Sequence, residues 1–282
     1  MATARRYIAF DLGASNGRGI LGRFDGERLA IEAVHRFDNR PVELNGRFFW
    51  DILGLYQNIL AGLVKMRQAY PGEFASLGVD TWGCDFALLD RQGKLAGNPY
   101  SYRDPHSRGI FSLAFQRMSR EQVFRYTGLQ FMELNSLYQL YAMLVHQDPI
   151  LEQAAYFVMV PDLLHYWLSG ELACEYTDAS TSQLLDVHQR QWALPVIEGM
   201  GLRRDLFPEL VQPGGLLGEL RAAVAGQVGM NLPLAATATH DTASAVVAVP
   251  AENERFAYIS SGTWALLGAG LALLGWRARR RR

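Results

Sequence analysis

The sequence predicts an α/β domain. Three observations predict it: strand-like segments with tight connections open the chain, the apolar spacing then becomes helical, and strands alternate with helices afterwards. With 282 residues, 49% of them apolar, the chain is long enough to bury a large core and does not have the composition of a disordered protein. This length allows one large domain or two ordinary ones.

The opening segments predict three consecutive antiparallel strands. An apolar run over Tyr7–Phe10 is followed by a turn rich in small residues and then by a second run over Arg18–Phe24. Asp25-Gly26 is a strong hairpin signal, and a third run follows over Leu29–Phe37.

A helix capped by Asp51 comes next, because apolar residues then recur on one helical face. Buried strands are predicted over Leu77–Thr81 and Phe86–Asp90, and Ser119 with Gln122 has the spacing of a capping box. The later predicted elements are a strand over Tyr156–Val160, a helix from Pro161 to Gly170, a strand over Leu234–Ala238 and a helix over Thr242–Val249.

Composition excludes several classes of protein. No run approaches the roughly 18 apolar residues of a membrane span, and a net charge of −1 gives no reason to expect nucleic acid. The two cysteines, Cys84 and Cys174, are too few for a disulfide framework, and no signal peptide is recognisable, so a cytoplasmic protein is expected. The histidines lack the spacing of a zinc site, and no oligomeric state is indicated.

The segment Asp11–Arg18 (DLGASNGR) follows the first strand and has two interpretations. Its small residues allow backbone N–H groups to approach an anion, Ser15, Asn16 and Arg18 add donors, and Asp11 has the chemistry to hold Mg²⁺ directly or through water. An ordinary β-turn has the same composition.

The segment Thr239–Ser244 (THDTAS) lies between a predicted strand and a predicted helix. Asp241 either caps that helix or, at a strand's carboxyl end, serves as a general base toward a substrate hydroxyl.

Two further segments follow predicted strands. Ser260–Thr263 (SSGT) is either a second phosphate clamp or a plain turn. Asp80–Asp85 (DTWGCD) is either a sugar-binding wall, in which Trp82 stacks on the sugar, or a buried tryptophan in a bulged hairpin.

Together these segments resemble the FGGY carbohydrate kinases. The resemblance covers about Tyr7 to Leu267, and its motifs stand in the family's order: DLGASNGR, VDTWGCDF (79–86), YRD (102–104), TGLQF (127–131), NSLYQL (135–140), THDTASA (239–245) and YISSGTW (258–264). It implies an actin-like, ribonuclease-H-like fold of two lobes, with a mixed sheet flanked by helices in the first lobe and ATP in the cleft between the lobes. Within the family the chain is most similar to the kinases that phosphorylate L-rhamnulose at its 1-hydroxyl.

The resemblance also implies roles for residues of this chain. Asp241 would be the catalytic base, and Mg²⁺ would bridge the ATP phosphates with Asp11 as its partner, through water. The sugar contacts would be Gly83, His240, Asp241 and Thr242. The ATP and phosphate contacts would be Ala14, Ser15, Asn16, Gly17, Arg18 and Thr263.

One feature departs from the family. Its members are much longer, and this chain ends shortly after Trp264 with an Ala/Gly/Leu stretch and five arginines in the last six positions. The expectation is a first lobe over residues 1–250, which binds sugar and phosphate, and a truncated start of the second lobe over 251–282. Two alternatives stay open: a catalytically weak sugar-binding fragment, or a kinase for another ketose such as L-fuculose.

Overall fold

The computed structural model describes residues 4–253, 255–261 and 265–271; Thr263 and the arginine-rich end of the chain lie outside these ranges. The strands are β1 (Arg5–Leu12), β2 (Asn16–Phe24), β3 (Leu29–Asp38), β4 (Val42–Leu44), β5 (Arg47–Phe49), β6 (Leu77–Thr81), β7 (Phe86–Leu89), β8 (Tyr156–Met159), β9 (Cys174–Glu175), β10 (Leu185–Asp186), β11 (Gln191–Trp192), β12 (Leu210–Val211), β13 (Leu216–Glu219), β14 (Pro233–Ala235), β15 (Arg255–Ser261) and β16 (Ala265–Leu271). The α-helices are α1 (Ile52–Ala69), α2 (Phe111–Arg117), α3 (Arg120–Thr127), α4 (Ser136–Val145), α5 (Pro149–Gln153), α6 (Val160–Ser169), α7 (Tyr176–Ala179), α8 (Leu194–Gly199), α9 (Ala222–Val228) and α10 (Asp241–Val247).

The central sheet has six strands in the order β13-β14-β6-β1-β2-β3. The antiparallel pairing of β1, β2 and β3 confirms the predicted opening, while β6 lies parallel to β1 and β14 parallel to β6. Parallel neighbours need long connections, and here these connections contain the helices that pack on the sheet. The predicted mixed sheet flanked by helices is confirmed.

Helix α1 covers one face of this sheet. As predicted, Asp51 caps it, accepting a hydrogen bond from the Gly54 amide at 2.9 Å. Gly62 of α1 approaches β1 so closely that a Cβ there would lie 2.7 Å from the Phe10 ring. Because side chains alternate along a strand, this contact turns Asp11 to the opposite face of the sheet.

A second hydrophobic core forms around α4 and the antiparallel pair β7–β8. Almost all of α4 is buried, and the Tyr138 side chain at its centre is fully enclosed. This core supports the segment that follows β6, because Ser136 and Gln139 of α4 both donate hydrogen bonds to the Cys84 carbonyl.

The predicted helix and strand signals are confirmed, with small shifts of their ends. The capping box of Ser119 and Gln122 begins α3, and Gly128 ends it at φ 58°, where a left-handed conformation favours glycine. Of the alternative considered for residues 80–85, the buried tryptophan is confirmed, since Trp82 is 5% exposed, but the bulged hairpin is wrong, because β7 pairs with β8 and not with β6. Among the described helices, none is both long and apolar enough to cross a membrane.

Candidate active site

Three of the segments singled out in the sequence meet at one edge of the central sheet. The parallel strands β1 and β6 end there side by side, and the chain after β14 joins them. Thr81 at the end of β6 bridges His240, and its amide donates to the Thr239 carbonyl at 2.8 Å. The edge formed by strand carboxyl ends is where open α/β sheets bind ligands.

A row of charged side chains crosses three neighbouring strands at this edge. Asp11 is the register partner of Arg18 on β2 and of Asp80 on β6. The Arg18 guanidinium lies 3.2 Å from the Asp11 carboxylate, and both side chains are half-exposed. The Nε atom of Arg18 is buried and has no hydrogen-bond partner in the described structure. The row therefore presents one cation and two carboxyl groups at the strand ends.

Asp80 was not singled out individually, although the sequence held a signal for it. Apolar runs lead into FDLG and into VDTW, so an Asp is the second-last residue of each of two parallel strands. Burial raises the pKa of Asp80 well above its usual range, and the negative charges of Asp11 and Asp241 raise it further. This crowding of carboxyl groups is an environment that a cation relieves.

The residues present fit a divalent cation only in part. Carboxylate oxygens are the hard donors that Mg²⁺ prefers, and Asp11 and Asp80 supply them. Within the described ranges, no group of three or more His, Cys, Asp or Glu side chains is placed to hold a metal ion. The donor set therefore fits an ion whose other ligands are waters or phosphate oxygens.

The turn between β1 and β2 is stabilised by hydrogen bonds, both within the turn and from Asn39, which follows β3. The Gly13 amide donates to the Asn16 carbonyl, and Asn39 binds the turn twice, through its backbone to Ser15 and through its side chain to Gly13. Ser15 and Asn16 are exposed. Gly17 packs on Phe37, where a Cβ would lie 2.3 Å from the ring. Ala14 is buried, so the exposed part of the turn is short and firmly supported.

Asp241 is the first residue of α10, and the helix-capping interpretation is wrong: His240 occupies the N-cap position, with no capping hydrogen bond from its side chain. The Asp241 side chain is 42% exposed, and its Oδ1 atom lies 3.5 Å from His240 Nε2. Thr242 donates to the same oxygen through its amide at 2.5 Å. Burial lowers the pKa of His240 despite the opposing charge of Asp241, which favours a neutral imidazole.

Gly83 lies where a larger residue has no room. A Cβ there would meet the Thr181 side chain at 2.7–2.9 Å. Cys84 follows with φ 72°, and its amide donates to Thr181 Oγ1 at 2.8 Å. The Gly83–Cys84 turn is thus fixed against the 175–183 segment.

The sugar-wall interpretation of residues 80–85 is wrong for Trp82 and Asp85. Trp82 is only 5% exposed and packs on Trp50 with ring centroids 4.1 Å apart. Asp85 is fully buried and accepts hydrogen bonds from both indole N–H groups. Neither side chain is free to contact a ligand.

Comparison with known proteins gives a consistent result. A family model described as FGGY family of carbohydrate kinases, N-terminal domain, matches residues 6–248. The rhamnulokinase of Bacteroides thetaiotaomicron is 44% identical over 266 residues, which cover 94% of this chain and 54% of that protein. The rhamnulokinase of Oceanobacillus iheyensis is 41% identical and is covered to 55%. The chain thus spans about half the length of the curated relatives it matches.

Solved structures agree on the fold. A carbohydrate kinase from Novosphingobium aromaticivorans superposes with a TM-score of 0.80 at 22% identity, over 96% of this chain and 57% of that one. A xylulose kinase from Lactobacillus acidophilus gives a TM-score of 0.74 at 16% identity, over 83% of this chain and 48% of that one. The fold is that of sugar kinases, and the chain belongs to the FGGY family of carbohydrate kinases.

Proposed function

We propose that the protein phosphorylates L-rhamnulose at its 1-hydroxyl with ATP, as a step of L-rhamnose catabolism. The observation that carries this proposal is the 40–44% identity, over more than nine-tenths of this chain, to proteins named rhamnulokinase. In this proposal residues 1–250 form the lobe that binds the sugar and the phosphates, and residues 251–282 begin the next lobe. The protein acts in the cytoplasm on two small molecules, a sugar and ATP.

Asp241 is the general base of the proposed reaction. Its half-exposed carboxylate lies at the carboxyl edge of the sheet and is oriented by the Thr242 amide. It takes the proton of the 1-hydroxyl while that oxygen bonds to the γ-phosphorus of ATP; the bond from this phosphorus to the β–γ bridging oxygen breaks, and ADP leaves. The neutral His240 beside it, together with Thr242 and Gly83, contacts the sugar.

The turn between β1 and β2 positions the phosphates. Ala14, Ser15, Asn16 and Gly17 bring their backbone close to the phosphate oxygens, and the Arg18 guanidinium supplies positive charge at the same strand ends. Thr263 completes the phosphate contacts from outside the described residues. Bound Mg²⁺ would neutralise charge on the phosphates, with Asp11 as its protein partner through water and Asp80 beside it.

The test is ATP-dependent phosphorylation by the purified 282-residue chain of a panel containing L-rhamnulose, L-fuculose, D-xylulose and glycerol. Calorimetric titration with each sugar alone accompanies it. Turnover with a clear preference for L-rhamnulose is the expected result. Preference for another sugar would overturn the assigned substrate, and binding of L-rhamnulose without turnover would overturn the assigned activity for this chain.

A further inference from the structure

Glu175 contacts the segment that carries His240 and Asp241, although 64 positions separate it from Thr239. Its side chain is completely buried. The Oε2 atom accepts hydrogen bonds from the Thr239 amide at 3.0 Å and from the Thr239 hydroxyl at 2.7 Å. Thr239 is itself fully buried, so this carboxyl group fixes the residue that stands two positions before the proposed base.

A second connection reaches His240 through Thr177. The Thr177 hydroxyl donates to Glu175 Oε2 at 2.5 Å and accepts a hydrogen bond from the His240 amide at 3.3 Å. On the other side, the Thr239 carbonyl accepts from the Thr81 amide of β6 at 2.8 Å. The chain at 239–240 is therefore held between the central sheet and Glu175 just before Asp241 begins α10.

Capping of α7 does not account for this arrangement. Glu175 is the N-cap of that four-residue helix and accepts from the amides of Thr177 and Asp178. Ser, Thr, Asp and Asn are the residues preferred at this position, and the two bonds from Thr239 contribute nothing to the helix. Nor does Glu175 touch a substrate, because both of its oxygens are buried and occupied.

We propose that Glu175 is a positioning residue for the phosphotransfer, which holds the 239–241 segment so that Asp241 meets the sugar hydroxyl. The inference rests on the proposed function for its catalytic consequence. A displacement of about 1 Å at a reacting group costs on the order of 100-fold in rate. Residues that fix the backbone next to a base therefore control turnover without touching the substrate.

The chain offers matched variants for a test. Glu175→Ala removes every hydrogen bond of the side chain, while Glu175→Gln keeps one oxygen able to accept from Thr239. Thr239→Val removes only the hydroxyl donor and guards against a failure of Glu175→Ala to fold. Cys174→Ala is the control, because Cys174 precedes Glu175 on β9, is equally buried, and its Sγ atom has the Phe157 carbonyl as its hydrogen-bond partner.

The first readout is hydrogen exchange in the peptide spanning 237–247, which does not require activity. Glu175→Ala is expected to speed exchange of the Thr239 and His240 amides by about tenfold or more. Thr239→Val should give a smaller increase, and Cys174→Ala none. Unchanged exchange at these two amides in Glu175→Ala, or an equal change in Cys174→Ala, overturns the proposal.

The second readout separates the two substrates. In Glu175→Ala the kcat is expected to fall about 100-fold, with a higher KM for the sugar and an unchanged KM for ATP, because the β1–β2 turn does not depend on Glu175. Glu175→Gln should recover part of the loss. A parallel loss in both KM values would indicate a merely structural role. If the wild-type chain phosphorylates no sugar, only the proposed function is overturned. The hydrogen-exchange measurement would still test whether Glu175 holds the 239–241 segment.

Discussion

Asp11 and Asp80 are register partners in the parallel pair of β1 and β6, so two carboxyl groups end neighbouring strands side by side. Arg18 lies across from Asp11 on the other neighbour, and Asp241 is close enough to raise the pKa of Asp80 further. Even with Asp80 protonated, one cation faces the carboxylates of Asp11 and Asp241, which leaves a local excess of negative charge. Such an edge binds a polyphosphate only together with added positive charge, which agrees with the proposed use of Mg²⁺.

Replacement of the proposed base tests its role. Asp241→Asn keeps the size of the side chain and an oxygen for the Thr242 amide but removes the proton acceptor. We expect kcat for L-rhamnulose to fall by about 10²–10⁴-fold, with sugar affinity by calorimetry changed much less. The control is Asp205→Asn at an exposed site. Activity of Asp241→Asn within about tenfold of the parent would contradict the assignment.

Arg18 and Arg23 lie on the same strand and allow a matched comparison. Arg18→Lys loses the planar donor group that faces Asp11, and a lysine cannot reproduce its several fixed N–H directions. We expect the KM for ATP to rise by roughly tenfold, while the KM for the sugar stays the same. Arg23→Lys, at a pair with the exposed Glu32, should change neither value. An equal effect of both substitutions would rule out a specific role for Arg18.

Asp85 should make stability depend on pH. Burial raises the pKa of Asp85 to about 6, despite hydrogen bonds from Trp50, Gln139, Trp82 and the Tyr102 amide. The native state therefore holds a proton that the unfolded chain has released, and stability falls as the pH rises from about 4 to about 6. The loss amounts to about 3 kcal/mol.

Urea unfolding of the wild type and of Asp85→Asn between pH 4 and pH 7 measures this effect. The variant is expected to be less stable, because its amide group cannot accept all of these hydrogen bonds, but to lack this titration. The advantage of the wild type over the variant should therefore shrink with rising pH. A stability difference that does not change over this range would show that Asp85 does not titrate there.

Replacement of Gly17 and of Gly226 by alanine should change the free energy of unfolding in opposite directions. In Gly17→Ala the new methyl group would meet the Phe37 ring, and displacement of this packed ring should cost about 1–3 kcal/mol. In Gly226→Ala, within α9, no heavy atom lies within 4 Å of the added carbon, and better helix propensity should add about 0.5–1 kcal/mol. Chemical denaturation of both variants checks the signs; stabilisation by Gly17→Ala would show that the turn has more room than described.

Local sequence patterns predict much of this fold. The hairpin signal at Asp25-Gly26, the cap at Asp51 and the capping box at Ser119 each depend on neighbouring residues, and each is present in the structure. The pairing of β7 with β8 was not predictable in this way, because 66 intervening residues leave no local trace of the partner. Asp241 is likewise of a residue type that is common at the N-cap of a helix. Only the backbone conformation shows that His240 occupies the N-cap position of α10.

The candidate site also contains features that the sequence predicts and features that only the structure shows. The motifs predict which segments meet, since each follows a strand of the sheet. The contact between Glu175 and Thr239 could not be predicted, because the two residues are far apart in the sequence. A single Glu before a short helix also has no distinctive spacing. The sugar-wall prediction was wrong for Trp82 and Asp85 because the sequence does not show whether a side chain is exposed. An aromatic and an acidic residue suit a sugar site, but both of these side chains are buried in the core.

The parallel pairing of β14 with β6 also determines when the site can form during synthesis. Thr237 and Val79, which are hydrogen-bonded to each other, lie 158 positions apart. At ordinary translation rates, on the order of 10–30 s pass between the synthesis of β6 and that of β14, its second neighbour in the sheet. Throughout that interval β6 has a bare edge, the kind of surface on which nascent chains associate wrongly. The meander of β1, β2 and β3 can form early, whereas helix α10, which begins with Asp241, is among the last parts of the described chain to form.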